Sequence, residues 1–356
     1  MVRILHIWLY KDPAPKFIDA ETQKLLKSIT RLQLDKIFRN RPNPINTVEY
    51  KFMTTEEIEN EVKKAFTKAR ELLQMPPIVQ VEQANCQVIS KDPGLDSYSN
   101  CKYVITDITY GVNDSERTIV VRQTDGTLET ADPKLRKRIN QIYFPLQNRH
   151  IRDPRMFEEE NLRGCLDRHE YEFVLDRMCI QFEPFEQKFH EISSKVYLHI
   201  NETKEFDILR STRHFGPMSF FLAWHKMIDD LVIDMIKRDY LTNAVEVICL
   251  MYNLNGIEYD KGILKQLEQF TSSFESREEN GFAIAKKGLE KELNETVGKS
   301  IEQFKIDEAS LEFIDAFCKS HAIKKIQLTL CLQMYKEGNE EKKRLLEGLR
   351  KAHGVS

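Results

Sequence analysis

One run of β-favouring residues, 103–130, lies between stretches of helical periodicity, and it confines the chain to folds that place a small sheet among helices. Tyr103, Val104, Ile105, Thr106, Ile108, Thr109 and Tyr110 are β-branched or aromatic and fit a pleated, half-buried surface. Gly111, Asn113 and Asp114 supply a loop before a second strand at 118–122. Asp125-Gly126 then reverses the chain, because this pair accepts the positive φ angles of a tight hairpin turn. The pattern predicts an antiparallel meander.

Helices precede the meander. Asp19 stands where an N-cap belongs, ahead of Leu25, Leu26, Ile29, Leu32 and Phe38, and Pro42 and Pro44 block continuation. Thr54 and Glu57 have capping-box spacing, and Ile58, Val62, Ala65, Phe66, Ala69 and Leu72 keep one apolar face until Met75-Pro76-Pro77. After Asn161 long amphipathic segments take over. Met227, Ile228, Leu231 and Met235 mark one helix, and Ala244, Val247, Ile248 and Met251 another, with a break at 241–243. Asn243 with Glu246 is placed to cap the second, and Asn255-Gly256 to stop it, since both residues tolerate the left-handed conformation. Phe304, Leu311, Ile314, Phe317, Ile323, Leu328, Leu332 and Tyr335 predict a further helical hairpin.

The expected fold class is therefore α+β: a small antiparallel sheet flanked by N-terminal helices, followed by a mainly α-helical C-terminal half. The expected division is an N-terminal extension with one helix (1–48), an α+β domain with the meander (49–163), a helical domain (164–274), a charged linker or insertion rich in Glu, Lys and Asn (275–300), and a C-terminal hairpin with a charged tail (301–356). No 34-residue repeat recurs.

Composition excludes several functions. A formal net charge of −3 and a pI near 6.4 rule out a globally basic nucleic-acid coat, because phosphate attraction is the bulk of such binding. The charge is uneven, however: residues 1–155 carry net +5 and residues 156–356 net −8. No apolar run reaches the roughly 18 residues of a membrane-spanning helix. The seven cysteines are scattered without a Cys-x-x-Cys pair, which reads as reduced thiols, most of them buried as small hydrophobes. The start, 1–11, holds Arg3, His6 and Lys11 and no acid, like a matrix-targeting leader, but it is short and poor in Ser.

Catalytic signatures are missing. The 13 glycines form neither a dinucleotide fingerprint nor a phosphate loop. His190-Glu191 lacks the second zinc-ligating histidine, since position 194 is Ser. Asp167-Arg168-His169 reads as a surface charge cluster, and there is no G-x-S-x-G elbow. No metal or cofactor is expected, and the chain is not expected to be an enzyme.

Three tracts carry the chemistry that remains. Between 134 and 155, Lys134, Arg136, Lys137, Arg138, Arg149, Arg152 and Arg155 face a single acid, Asp153, for a local net of +6. The planar guanidinium fork suits phosphate, and Tyr143, Phe144 and His150 offer rings that stack on unpaired bases. The other reading of this tract is a solvated charged face with Tyr143 and Phe144 in the core. At 209–216, Arg210, Arg213 and His214 either meet RNA or pair with acids of a packed helix. Arg39 and Arg41, beside Pro42, form a third candidate.

The meander and the 134–155 tract, with LLQMPPIVQ at 72–80, DILRSTRHFGPM at 207–218 and HKMIDDLVIDMIKRD at 225–239, resemble the mitochondrial small-subunit ribosomal protein family numbered twenty-two. This family is specific to mitochondria. The resemblance spans about 16–255. It implies a non-catalytic structural component of the mitochondrial small ribosomal subunit, in the matrix, touching small-subunit rRNA and neighbouring small-subunit proteins. The candidate rRNA-binding residues are then Arg136, Lys137, Arg138, Arg149, His150, Arg152, Arg155, Arg210, Arg213, Arg39 and Arg41. From composition alone, a helical adaptor that binds only proteins remains the alternative.

Overall fold

The computed structural model describes residues 12–38, 50–81, 86–97, 99–114, 116–259, 262 and 289–352. The described residues fall into two compact units, one within Asp12–Ile78 and Ser194–Ser356, the other within Val79–Ser193. The class is α+β as expected, with a small sheet, helices before and after it, and a helical C-terminal region.

In the Val79–Ser193 unit, β1 (Val88–Lys91), β2 (Tyr103–Thr106), β3 (Ile119–Arg122) and β4 (Thr127–Thr130) form an antiparallel sheet in the order β1-β4-β3-β2. Gly126, at φ 78°, makes the β3–β4 turn that Asp125-Gly126 foretold. β2 is shorter than its propensity, ending at Thr106 instead of Tyr110. Asp107 Oδ1 accepts from the backbone and hydroxyl of Thr109 at 2.9 and 2.6 Å, and this side-chain turn competes with the ladder. β1 went unread because all four of its residues are exposed and show no alternation.

Helix α5 (Pro133–Tyr143) covers the sheet, with Leu135 and Ile139 packed on Ile119, Val121 and Ala131. The alternation of burial along β3 provides that face. Helices α6 (Glu159–Asp167) and α7 (Tyr171–Gln181) bury Leu162, Leu166, Tyr171, Val174, Leu175 and Met178. Arg168 ends α6 in an exposed ion pair with Glu170, the surface cluster read from the sequence.

The other unit begins with α1 (Ala14–Ile18), α2 (Ala20–Thr30) and α3 (Leu34–Ile37). Asp19 caps α2, its carboxylate accepting from the Thr22 amide at 3.2 Å. The single helix expected through Phe38 is instead broken at Arg31, whose φ is 56°. α4 (Thr55–Leu72) starts on a complete Thr54–Glu57 capping box. Then follow residues 194–203 of α8 (Gln187–Thr203), whose first residues belong to the Val79–Ser193 unit, and α9 (Phe215–Trp224), α10 (Asp229–Lys237), α11 (Leu241–Asn255), α12 (Leu289–Ser320) and α13 (Lys325–Ala352). Side chains of α12 and α13 are described over 304–345 and at 348. Of the expected charged linker, 289–300 is helical and 275–288 lies outside the described residues.

All ten residues of α9 are buried, as a helix apolar all round must be. Phe220 meets Phe17 edge-on at 5.3 Å and stacks on Trp224 at 5.7 Å. Helices α2, α9 and α11 pack together, α10 lies on α11 and α13, and α12 on α11 and α13. Gly216 faces the thioether of Met75, which a Cβ there would have to displace. Asn243 and Glu246 do not cap α11, whose N-cap is Tyr240. They are buried and tie α11 to α2: Ser28 Oγ donates to Glu246 at 2.6 Å, and Arg31 donates to Asn243 at 3.0 Å. Gly256, at φ 67°, ends α11 as predicted.

All seven cysteines are free, and Cys165, Cys249, Cys318 and Cys331 are buried. Among the described residues no helix is long and apolar enough to cross a membrane.

Among the described residues each unit holds one histidine that burial pushes down to about 4, His190 in the Val79–Ser193 unit and His225 in the other. Both are neutral in the fold, while in the unfolded chain they protonate near about 6.5. Between these values the unfolded state binds more protons, so stability present above about 6.5 is lost as pH falls towards 4. From pH 7 to 5 the loss is expected to be roughly 2 kcal/mol per histidine. Urea midpoints at the two pH values check it, and His190→Gln and His225→Gln should each remove part of the pH dependence.

Candidate nucleic-acid interface

Helix α5 sorts its basic residues by face. With Leu135 and Ile139 turned to the sheet, Lys134, Arg138 and Ile142 fall at i, i+4 and i+8 on the exposed side. Arg138 makes no ion pair or side-chain hydrogen bond among the described residues. Lys137 pairs with Glu186 at 2.7 Å, its ammonium 4.4 Å from the Phe182 ring centroid. Arg136 turns inward and donates to the carbonyls of Asp114 (3.0 Å) and Arg117 (2.7 Å).

The loop after α5 is pinned by its backbone. Buried Gln181 donates to the His150 carbonyl at 2.8 Å and accepts the His150 amide at 3.1 Å, a side-chain imitation of strand pairing. Gln141 donates to the Arg149 carbonyl at 2.8 Å, and Arg177 to that of Asn148 at 2.9 Å. Arg149 folds back on Glu183 (2.6 Å) and the Ile180 carbonyl (3.0 Å). The loop thereby holds His150 and Arg152 at the surface, followed by exposed Arg155 at the start of a 3-10 turn. Neither Arg152 nor Arg155 has an ion pair among the described residues, and Asp153 is engaged by Lys188.

A second constellation was not singled out in the sequence. Arg117 is buried and donates to three carbonyls of the β2–β3 loop, those of Asp107 (3.0 Å), Thr109 (2.9 Å) and Val112 (2.9 Å). Its guanidinium lies 3.6 Å from the Phe144 ring centroid. Asn140 also holds the Asp114 carbonyl, at 3.1 Å. On this fixed loop Tyr110 is 92% exposed, its ring edge-on to Phe144 at 6.0 Å. The signal available was an Arg inside a β-rich run, just after loop-forming Gly111, Asn113 and Asp114.

The 209–216 segment is not one helix: Ser211 has φ 62°, and α9 begins only at Phe215. Arg210 is fully buried. Its Nε lies 3.3 Å from Asp207 and its Nη2 3.1 Å from Asp234, with the rings of Phe215 and Tyr240 each 4.9 Å away. Arg238 also binds Asp234 (3.0 Å), and Lys36 binds Asp207 (2.8 Å). Burial alone would raise the Asp207 pKa, but the Lys36 hydrogen bond and the charges of Lys36, Arg238 and Arg210 hold it below the ordinary value. Arg213 is half-buried, its Nε donating to His214 at 3.3 Å. Arg210 takes the pairing alternative, its charge facing Asp207 and Asp234 in the interior. Arg39 and Arg41 lie outside the described residues.

The family profile described as Mitochondrial 28S ribosomal protein S22 matches residues 15–256. The Small ribosomal subunit protein mS22 of Mus musculus is 36% identical over 241 residues, covering 68% of this chain and 67% of that protein. The protein of the same name from Bos taurus is 36% identical over 245 residues, covering 69% of this chain and 68% of that protein. With a match that takes in well over half of its length and that includes the whole basic tract, the chain belongs to the Mitochondrial 28S ribosomal protein S22 family.

Proposed function

We propose that this chain is a non-catalytic structural component of the mitochondrial small ribosomal subunit, in the matrix, where it contacts small-subunit rRNA and neighbouring small-subunit proteins. The names of its relatives support the particle, and one observation supports the RNA contact. Arg138, Arg152 and Arg155 stay exposed without an ion pair among the described residues, while Lys137 and Arg149 of the same tract are neutralised by Glu186 and Glu183. A guanidinium left without a carboxylate is matched to a phosphate, whose binding releases counterions. His150 stands beside these arginines, while Arg136 and Arg210 act within the fold.

The protein-only adaptor is favoured by a different feature, the exposed Ile326, Leu330 and Met334 at i, i+4 and i+8 along α13. A sucrose gradient of mitochondrial extract separates the two readings. The chain is expected to sediment with the small subunit, to be released by RNase, and to move towards the top of the gradient when Arg138, Arg152 and Arg155 are all replaced by Ala. Sedimentation in a complex that neither RNase nor the triple replacement disturbs makes it an adaptor. A chain found only at the top of the gradient overturns the ribosomal reading.

A further inference from the structure

We infer that Tyr110 is a stacking platform for an unpaired nucleobase of the bound RNA. The inference rests on the rRNA-contact reading above and adds to it a residue and a mode of recognition. Tyr110 has strong β-propensity, yet it leaves the sheet because Asp107 captures Thr109 and Arg117 gathers three carbonyls of the loop. That cage rests on α5, through Arg117 over Phe144 and through Arg136 and Asn140 on the Asp114 carbonyl. The loop is thus fixed by buried and half-buried groups whose visible product is one outward aromatic ring, with Ile108 (69% exposed) beside it in sequence. Its one ring contact among the described residues is the edge-on approach to Phe144.

A fixed, solvent-facing ring is what sequence-tolerant stacking needs, because little conformational freedom is lost when a base settles on it. The surroundings favour a nucleotide over a protein side chain. The guanidinium of Arg117, held by carbonyls, lies under the Phe144 ring, and Tyr143 adds a second half-exposed ring at the end of α5. The far face of α5 carries Lys134 and Arg138, and a helix is only about 10–12 Å across. A single strand whose base stacks on Tyr110 therefore reaches unpaired cations within a few nucleotides.

The test uses the purified full chain, with a short oligouridine and a blunt RNA duplex of equal length as probes, over a series of salt concentrations. Tyr110→Ala is expected to weaken oligouridine binding roughly 10-fold or more, to leave the slope of log K against log salt unchanged, and to leave duplex binding unchanged. Tyr110→Trp restores affinity. The triple Ala replacement of Arg138, Arg152 and Arg155 instead lowers the slope by about 2 units. Because Tyr110 is so exposed, its variants should keep the native melting temperature. Unchanged oligouridine affinity in Tyr110→Ala overturns the platform, and leaves the rRNA-contact reading intact if the triple variant still changes the slope. Loss of gradient co-sedimentation in Tyr110→Ala without loss of oligouridine affinity marks a protein contact and overturns it as well. A triple variant with an unaltered slope counts against the rRNA-contact reading alone.

Discussion

Arg210→Ala is expected to destabilise the unit that contains it by about 3–5 kcal/mol, the effect of removing one partner from a buried ion pair. Arg210 is fully enclosed, so its charge has no water to fall back on. It stands between Asp207 and Asp234 at 3.3 and 3.1 Å, and the rings of Phe215 and Tyr240 cover it. Burial pulls its pKa down, and the two carboxylates oppose that pull. Truncation leaves a cavity and deprives both carboxylates of a cation. Arg210→Met fills most of the volume, while Lys36 and Arg238 still serve Asp207 and Asp234, so its loss should be clearly smaller than that of Ala. Urea denaturation at pH 7 checks the pair of variants. An Ala variant that unfolds at the native urea concentration would show that the network contributes no stability.

That arginine also marks where sequence reading stops. Local devices were legible because their partners lie within a few residues: the Asp19 cap, the Thr54–Glu57 box, the Asp125-Gly126 turn and the Gly256 stop. Partnerships across long separations were not. Asn243 and Glu246 have helix-cap spacing in sequence, yet in the fold they hold Ser28 and Arg31, more than 200 residues away. Arg210 and Arg213 look as cationic as Arg152 and Arg155, and only Asp207, Asp234 and the rings around Arg210 reveal that its charge is spent inside. In the 134–155 tract the excess charge was legible. Which arginines stay unpaired was not, because Glu183 and Glu186 sit some 30 to 50 residues on, at the far end of another pair of helices. The Arg117 cage escaped because its hydrogen bonds end on backbone carbonyls, which leave no trace in side-chain patterns.

The second large effect concerns the helical pair beyond residue 256, where the family match ends. This pair is latched by acids inside the matched part. Asp229, itself buried, accepts the amides of Ile323 and Lys324 at 2.7 and 2.6 Å, just ahead of α13. A helix start exposes amide donors without intrahelical partners, and here a carboxylate from another helix takes the place of a local cap. The negative charge also faces the positive end of the helix dipole. Asp230 adds an ion pair to Lys324 Nζ at 2.6 Å. Asp229→Ala leaves both amides unsatisfied and is expected to cost about 2–4 kcal/mol. The loss should be local: hydrogen exchange in α13 and in 304–320 of α12 accelerates, while α2 and α9 keep their protection. Asp229→Asn retains an acceptor without the charge and should fall between the two. If exchange across α13 in Asp229→Ala matches the native rate, the helical pair is held instead by the apolar packing of Tyr252 with Phe313 and Phe317, and the Asp229 contact is a by-product of that packing.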